Sequence, residues 1–101
     1  VLRGFDLTKN HLNSIFHSLE SNTVVTTLDI SCQNKTFGIR LSNIEMKNLC
    51  EMLERNKTLK ELDIANNTLH PQDIQLFFKT LSKNKTLKTI DMRLTFSHPE
   101  T

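Results

Sequence analysis

The chain has 101 residues, six Phe, no Trp or Tyr, and a formal net charge of +2 with acids and bases interleaved. That length suits one ordinary domain and excludes two with separate cores. The weak, mixed charge argues against a nucleic-acid surface. No apolar run is long enough for a membrane span, and "VLRGFDLTKN" lacks the basic and apolar regions of a signal peptide.

In chain order, the first apolar cluster is Leu2, Phe5, Leu7 and Leu12, with Asn10 between the last two, and the same spacing returns as Leu59, Leu62, Ile64, Asn67 and Leu69. Two further copies are incomplete. Val25, Leu28 and Ile30 are followed by Gln33 in place of Asn, and Leu87, Ile90 and Met92 by Thr95. Self-similarity of this kind signals stacked units rather than one closed core. The close alternation within each copy predicts a short strand followed by a turn.

Between the copies the apolar spacing changes to the helical period: Leu12, Ile15, Phe16 and Leu19, then Met46, Leu49, Cys50 and Leu53, then Ile74, Phe77, Phe78 and Leu81. Each predicts an amphipathic helix with one buried stripe. Ser42 with Glu45 reads as a capping box, and Pro71 suits a first helical position with Leu69 and Ile74 as its hydrophobic staple. Asn22, Asn56 and Asn84 each fall just beyond a stripe, where Asn in the left-handed conformation would close the helix. Repeat boundaries follow at 1–24, 25–58, 59–86 and a partial 87–101. The second is lengthened by an insertion around Asn34 to Leu41.

A strand, turn and helix of this size cannot bury its own apolar face, so the units stack into an α/β solenoid. The pattern resembles leucine-rich repeats of the ribonuclease-inhibitor type, as in NOD-like receptors, GTPase-activating proteins for Ran and the tropomodulin group. The resemblance implies a curved solenoid, with parallel strands on the concave face and helices on the convex face. It further implies a cytoplasmic protein-interaction module within a larger sensor or scaffold, or a binding-type regulator of a GTPase or of actin filament ends. The chain then reads as a fragment of a longer protein, or as the end of one whose final repeat has decayed. In such repeats the Asn of the turn faces inward and satisfies backbone groups, the role the resemblance assigns to Asn10 and Asn67.

Strand residues that alternate with buried ones fall on the open face of the sheet. The repeat alignment places Asp6, Asp29, Asp63 and Asp91 in one column there. One reading is an acidic ladder for a basic partner; the other is a repeat-typical Asp that solvent and nearby Lys60, Lys88, Thr27 and Thr89 tolerate. Flanking columns contain Gly4, Thr27, Glu61 and Thr89, then Thr8, Ser31, Ala65 and Arg93. The expected partner-binding set is therefore Asp6, Asp29, Asp63, Asp91, Thr27, Glu61, Thr89, Ser31 and Arg93, with another protein as the partner.

No catalytic constellation is visible, so an enzyme is not expected. Cys50 shares a helix-stripe slot with Phe16 and Phe78 and reads as a small buried residue, while Cys32 falls in a turn. The four histidines have no metal-ligand spacing, and there is no glycine-rich phosphate loop. Cofactor, metal, small-molecule substrate, nucleic acid and membrane are all absent from the expectation. Asn34, Asn56, Asn66 and Asn84 each begin a glycosylation-type triplet, but Asn56 and Asn84 already have a role at the helix ends.

Overall fold

The computed structural model describes residues 2–3, 9–31, 41, 43–65, 67 and 69–93. Strands and helices alternate: β1 (Leu2–Arg3), α1 (Lys9–Leu19), β2 (Thr27–Asp29), α2 (Asn43–Arg55), β3 (Glu61–Asp63), α3 (Pro71–Lys83) and β4 (Thr89–Asp91). The strands form one parallel sheet in the order β1-β2-β3-β4. Consecutive helices pack side by side, α1 on α2 and α2 on α3.

The core lies between the sheet and the helices. Leu28, Ile30, Leu62 and Ile64 enter it from the sheet side, and Leu12, Phe16, Met46, Leu49, Leu53 and Phe77 from the helices. These are the positions that the two apolar periods single out. In β2 the central Leu28 is buried while Thr27 and Asp29 are half-buried, the alternation a one-sided sheet requires.

The start of α3 follows the sequence reading closely. Pro71 occupies the first turn after an extended His70 at φ −78° and ψ 150°. Leu69 is buried and Ile74 is packed on the core as the staple requires. The amides of Asp73 and Ile74 donate to the His70 carbonyl at 3.0 Å each. Ser42 lies outside the described residues, so the capping box has only its Glu45 in view. Glu45 is buried and accepts from Asn13 of α1 at 3.2 Å.

The helix ends depart from expectation. Asn84 is extended, at φ −82° and ψ 130°, rather than left-handed. Its side chain explains why. The Asn84 carboxamide oxygen accepts from the amides of Thr86 and Leu87 at 2.8 and 2.7 Å, and its nitrogen donates back to the Leu53 carbonyl of the preceding unit at 2.9 Å. Asn56 does the same, accepting from Thr58 and Leu59 at 2.8 and 2.6 Å and donating to the Leu19 and Asn22 carbonyls at 2.7 and 3.2 Å. In Asn22 the oxygen accepts from Val24 and Val25 at 2.9 and 2.8 Å. An Asx turn needs the extended backbone, and it frees the nitrogen to bridge units.

Asn67 supplies a second bridge. It is buried and donates to the Ile30 carbonyl of the preceding unit at 2.9 Å and to its own Ile64 carbonyl at 3.1 Å. The inward role expected for this Asn therefore holds. Asn10, its expected counterpart, is already inside α1.

Two further expectations change. The first strand pairs Leu2 with Leu28 and Arg3 with Asp29, so Leu2 rather than Phe5 is the counterpart of the buried Leu28. The intact-looking pattern at 2–12 is aligned in a different register from the other copies, because strand pairing rather than Leu spacing sets the match. Phe78, placed in the buried stripe of α3, is 48% exposed. Its equivalents Phe16 and Cys50 lie on helices that have a neighbour on the following side, whereas no described helix follows α3.

Because Asn56 is 3% exposed and its side chain makes four hydrogen bonds, Asn56→Ala strands several buried backbone groups. The expected loss is about 2–4 kcal/mol by urea unfolding. Asn84→Ala, half-buried and with three bonds, should cost about 1–2 kcal/mol. Equal midpoints for Asn56→Ala and the native chain would disprove the bridging role.

Candidate functional site: the open face of the sheet

The side of the sheet opposite the helices has two columns set by strand register. Thr27, Glu61 and Thr89 are successive partners, as are Asp29, Asp63 and Asp91. Together with Leu62 they line a shallow trough of about 420 Å³. Six of the nine expected site residues are thereby brought together, with Asp63 in the central strand. Asp6 lies outside the described residues, and the register puts Arg3, a base, opposite Asp29. The acidic column thus has three described members and a basic residue at its first position.

The third column is less open than expected. Ala65 is buried. Ser31 bonds to Asp29 through its amide at 2.9 Å and its hydroxyl at 2.6 Å. Arg93 is exposed but tied to Asp91: its Nε donates at 3.0 and 3.1 Å and its terminal nitrogen at 2.8 Å. A charge pair this exposed contributes little to stability and is open to exchange with a partner's charges.

Each Asp also has a local structural task. The carboxylate of Asp29 accepts from the amide of Ser31, that of Asp63 from Ala65 at 2.9 Å, and that of Asp91 from Arg93 at 3.1 Å. All three close the turn that follows their strand. The repetition of Asp thus has an explanation that requires no ligand. No motif in the sequence distinguishes these turns in advance, since the Asp and its amide donor sit only two residues apart in an irregular loop.

Electrostatics differ along the column. Partial burial pushes the Asp63 carboxyl above its ordinary range; the Ala65 amide opposes this, and the flanking Asp29 and Asp91 reinforce it. Asp91 is held below its ordinary range, first by the side-chain bonds from Arg93 and then by the Arg93 amide. The two act oppositely on stability. Asp63 favours the fold below the ordinary carboxylate range, and that contribution is lost as pH rises through its raised value. Asp91 favours the fold above that range, and its contribution is lost as pH falls through its lowered value.

Elsewhere, Cys50 is buried and free, and burial raises its thiol pKa, with Thr80 as its hydrogen-bond partner. Cys32 lies outside the described residues. Among the described residues no group of three or more His, Cys, Asp or Glu side chains converges as a metal site. No described helix is long and apolar enough to cross a membrane. Asn56 is buried with its carboxamide fully engaged, so its glycosylation-type triplet is inaccessible in the folded chain. Asn34 and Asn66 lie outside the described residues.

Fold and site together define a small α/β domain of parallel strands backed by helices, with a polar, in-register open face. A solved structure of leiomodin-1 actin-binding site 2 is similar to it, with a TM-score of 0.75 and 23% sequence identity. The similarity covers 98% of this chain and 55% of that one, so the chain spans about half the length of the leiomodin structure. No protein-family model matches the sequence. No curated protein matches it either. At this identity the likeness defines the fold.

Carboxyl carbon shifts followed by NMR through an acid titration should show Asp91 ionising at a lower pH than Asp63. Arg93→Ala should move Asp91 upward markedly and Asp63 slightly. Asp63 ionising at or below Asp91 in the native chain would contradict this electrostatic description.

Proposed function

We propose that the chain is a stretch of leucine-rich repeat solenoid that serves as a protein-recognition module, with the open face of the sheet as its binding surface. The observation carrying this reading is the register: Thr27, Glu61 and Thr89 beside Asp29, Asp63 and Asp91 form a continuous polar surface on rigid strands. Side chains on strands are held more precisely than side chains on loops, which suits recognition. Acidic groups at the centre with Arg93 at one edge match a partner segment that presents basic side chains flanked by an acid. The work is binding, without catalysis, and the expected setting is cytoplasmic, within a larger sensor or scaffold.

Actin is the second reading. It is favoured by the likeness to leiomodin-1 actin-binding site 2, whose fold this chain shares along nearly its whole length. Under it, the chain contacts actin directly as a regulator of filament ends.

Both readings are tested with the double variant Glu61→Arg, Thr89→Arg, at exposed positions that make no turn bonds. The native chain and the variant, matched by circular dichroism, are used for affinity capture with identified partners, and for cosedimentation with filamentous actin and titration of monomeric actin. A partner captured by the native chain should bind the variant at least about tenfold more weakly. A partner that binds both equally would remove the sheet face from the proposal. Absence of any actin binding by the native chain would remove the second reading alone.

A further inference from the structure

The junctions α1–α2 and α2–α3 share one bridging scheme but differ in charge where the helices end. At the first, Glu20 just past α1 pairs with Arg55 in the last turn of α2 at 3.8 Å. The turn there carries the neutral Thr23, and Met52 is buried beside it in the sequence frame of Asn56. Counted from Asn22, Asn56 and Asn84, the equivalents at the second junction are Glu54, Lys83, Lys57 and Thr80. No ion pair forms among them. Within the described residues, neither Glu54 nor Lys57, Lys83 or Lys85 has an oppositely charged side chain within pairing distance.

Instead, Lys57, Lys83, Lys85 and Thr86 line a cleft of about 260 Å³ between the ends of α2 and α3, with Glu54 as the acid on its wall. The backbone beneath the lysines is held firmly. Lys85 lies inside the turn that the Asn84 oxygen closes onto the Thr86 amide, and Lys57 inside the matching turn from Asn56 to Thr58. The Asn84 nitrogen ties the cleft's two sides together at the Leu53 carbonyl. Complementing the carbonyls at a helix end explains part of this charge. Lys83 is in the last turn of α3, and Lys57 reaches the Glu54 carbonyl at 3.5 Å. Lys85 lies beyond α3 and makes no such bond.

We propose that this cleft receives one phosphate monoester, carried on a serine or threonine side chain of a partner polypeptide. Three lysines against one glutamate leave two positive charges, the complement of a phosphorylated side chain at roughly −1.5 to −2. Ammonium groups are point charges that can approach a tetrahedral dianion from different directions, whereas a planar carboxylate is matched by the arginine fork. An anionic membrane calls for a broader patch, of about four to eight basic residues. No aromatic side chain lines the cleft to stack a nucleotide base. The cleft shares no residue with the trough on the sheet, so this site stands independently of the sheet-face reading.

The test is an NMR titration of the chain at constant ionic strength with a short, end-blocked peptide whose only charge is a phosphoserine. The same peptide with Ser or Glu at that position provides the comparison. The phosphopeptide should shift the amides of Lys57 and of residues 83–86 saturably, and the Ser and Glu forms should bind at least about tenfold more weakly. Lys57→Gln with Lys85→Gln, both at exposed positions, should weaken the phosphopeptide at least about tenfold. Lys47→Gln with Lys79→Gln removes the same charge from exposed positions outside the cleft and should leave its affinity within about twofold. If the first pair loses the native circular dichroism spectrum, Lys85→Gln alone replaces it. No saturable shift, a Glu peptide that binds as tightly, or equal weakening by the two pairs overturns the proposal. So does binding only to phosphatidylcholine vesicles that contain phosphatidylinositol 4,5-bisphosphate, which would assign the lysines to a membrane.

Discussion

The fold depends on the carboxamides of Asn56 and Asn84, just past the ends of α2 and α3, each of which works in two directions. An Asn oxygen turns the chain into the next strand, and the nitrogen of Asn56 or Asn84 fastens that turn to the unit before it. In a stack of small units each buries its apolar face against its neighbours, so contacts between neighbours must couple them. Asn is the side chain suited to this, because it holds a donor and two acceptor sites within one short planar group. Asp would lack the donor, and Gln would reach too far to close the same turn.

The helix layer adds a polar interface of its own. Asn48 donates to Asn13 at 2.8 Å, and Asn13 donates in turn to the buried Glu45. Between α2 and α3, with its nitrogen turned toward Asp73, Asn43 donates to both carboxylate oxygens at 2.8 and 3.1 Å. Buried acids are costly unless bonded, so these Asn residues compensate Glu45 and Asp73. They also fix which helices are neighbours. Apolar packing by Leu and Met sets the distance between helices with little directional preference, whereas these bonds select one register.

The open face of the sheet owes its shape to the same economy. Parallel pairing stacks Leu28, Leu62 and Ile90 on one side and leaves Asp29, Asp63 and Asp91 beside one another. Three like charges at strand spacing would repel, and the chain answers with a turn amide for each and with Arg93 for the last. The price is an Asp63 that ionises less readily than its neighbour Asp91. A face organised this way is both structural and available, since the turn bonds use one oxygen of Asp63 and leave its other oxygen unassigned.

Much of this was legible in the sequence. The change of apolar period located every helix and the strands β2, β3 and β4, and Pro71 marked the start of α3, because periodicity and proline act locally. Asn67 was also foreseen, through the repeat it belongs to. What the chain of letters did not reveal was set by contacts between units. The true partner of Asp29 is Arg3 rather than Asp6, since pairing is a property of two strands at once. The bridging of Asn56 and Asn84 depends on carbonyls more than thirty residues away. The exposure of Phe78 depends on what lies beside its helix, which no residue within α3 encodes. The sequence by itself determined which segments are strand and helix and which face of each is apolar, because those follow from side-chain spacing along one element. Only the tertiary structure decided the strand register and the partners of Asn56, Asn67 and Asn84, because those arise where neighbouring units meet.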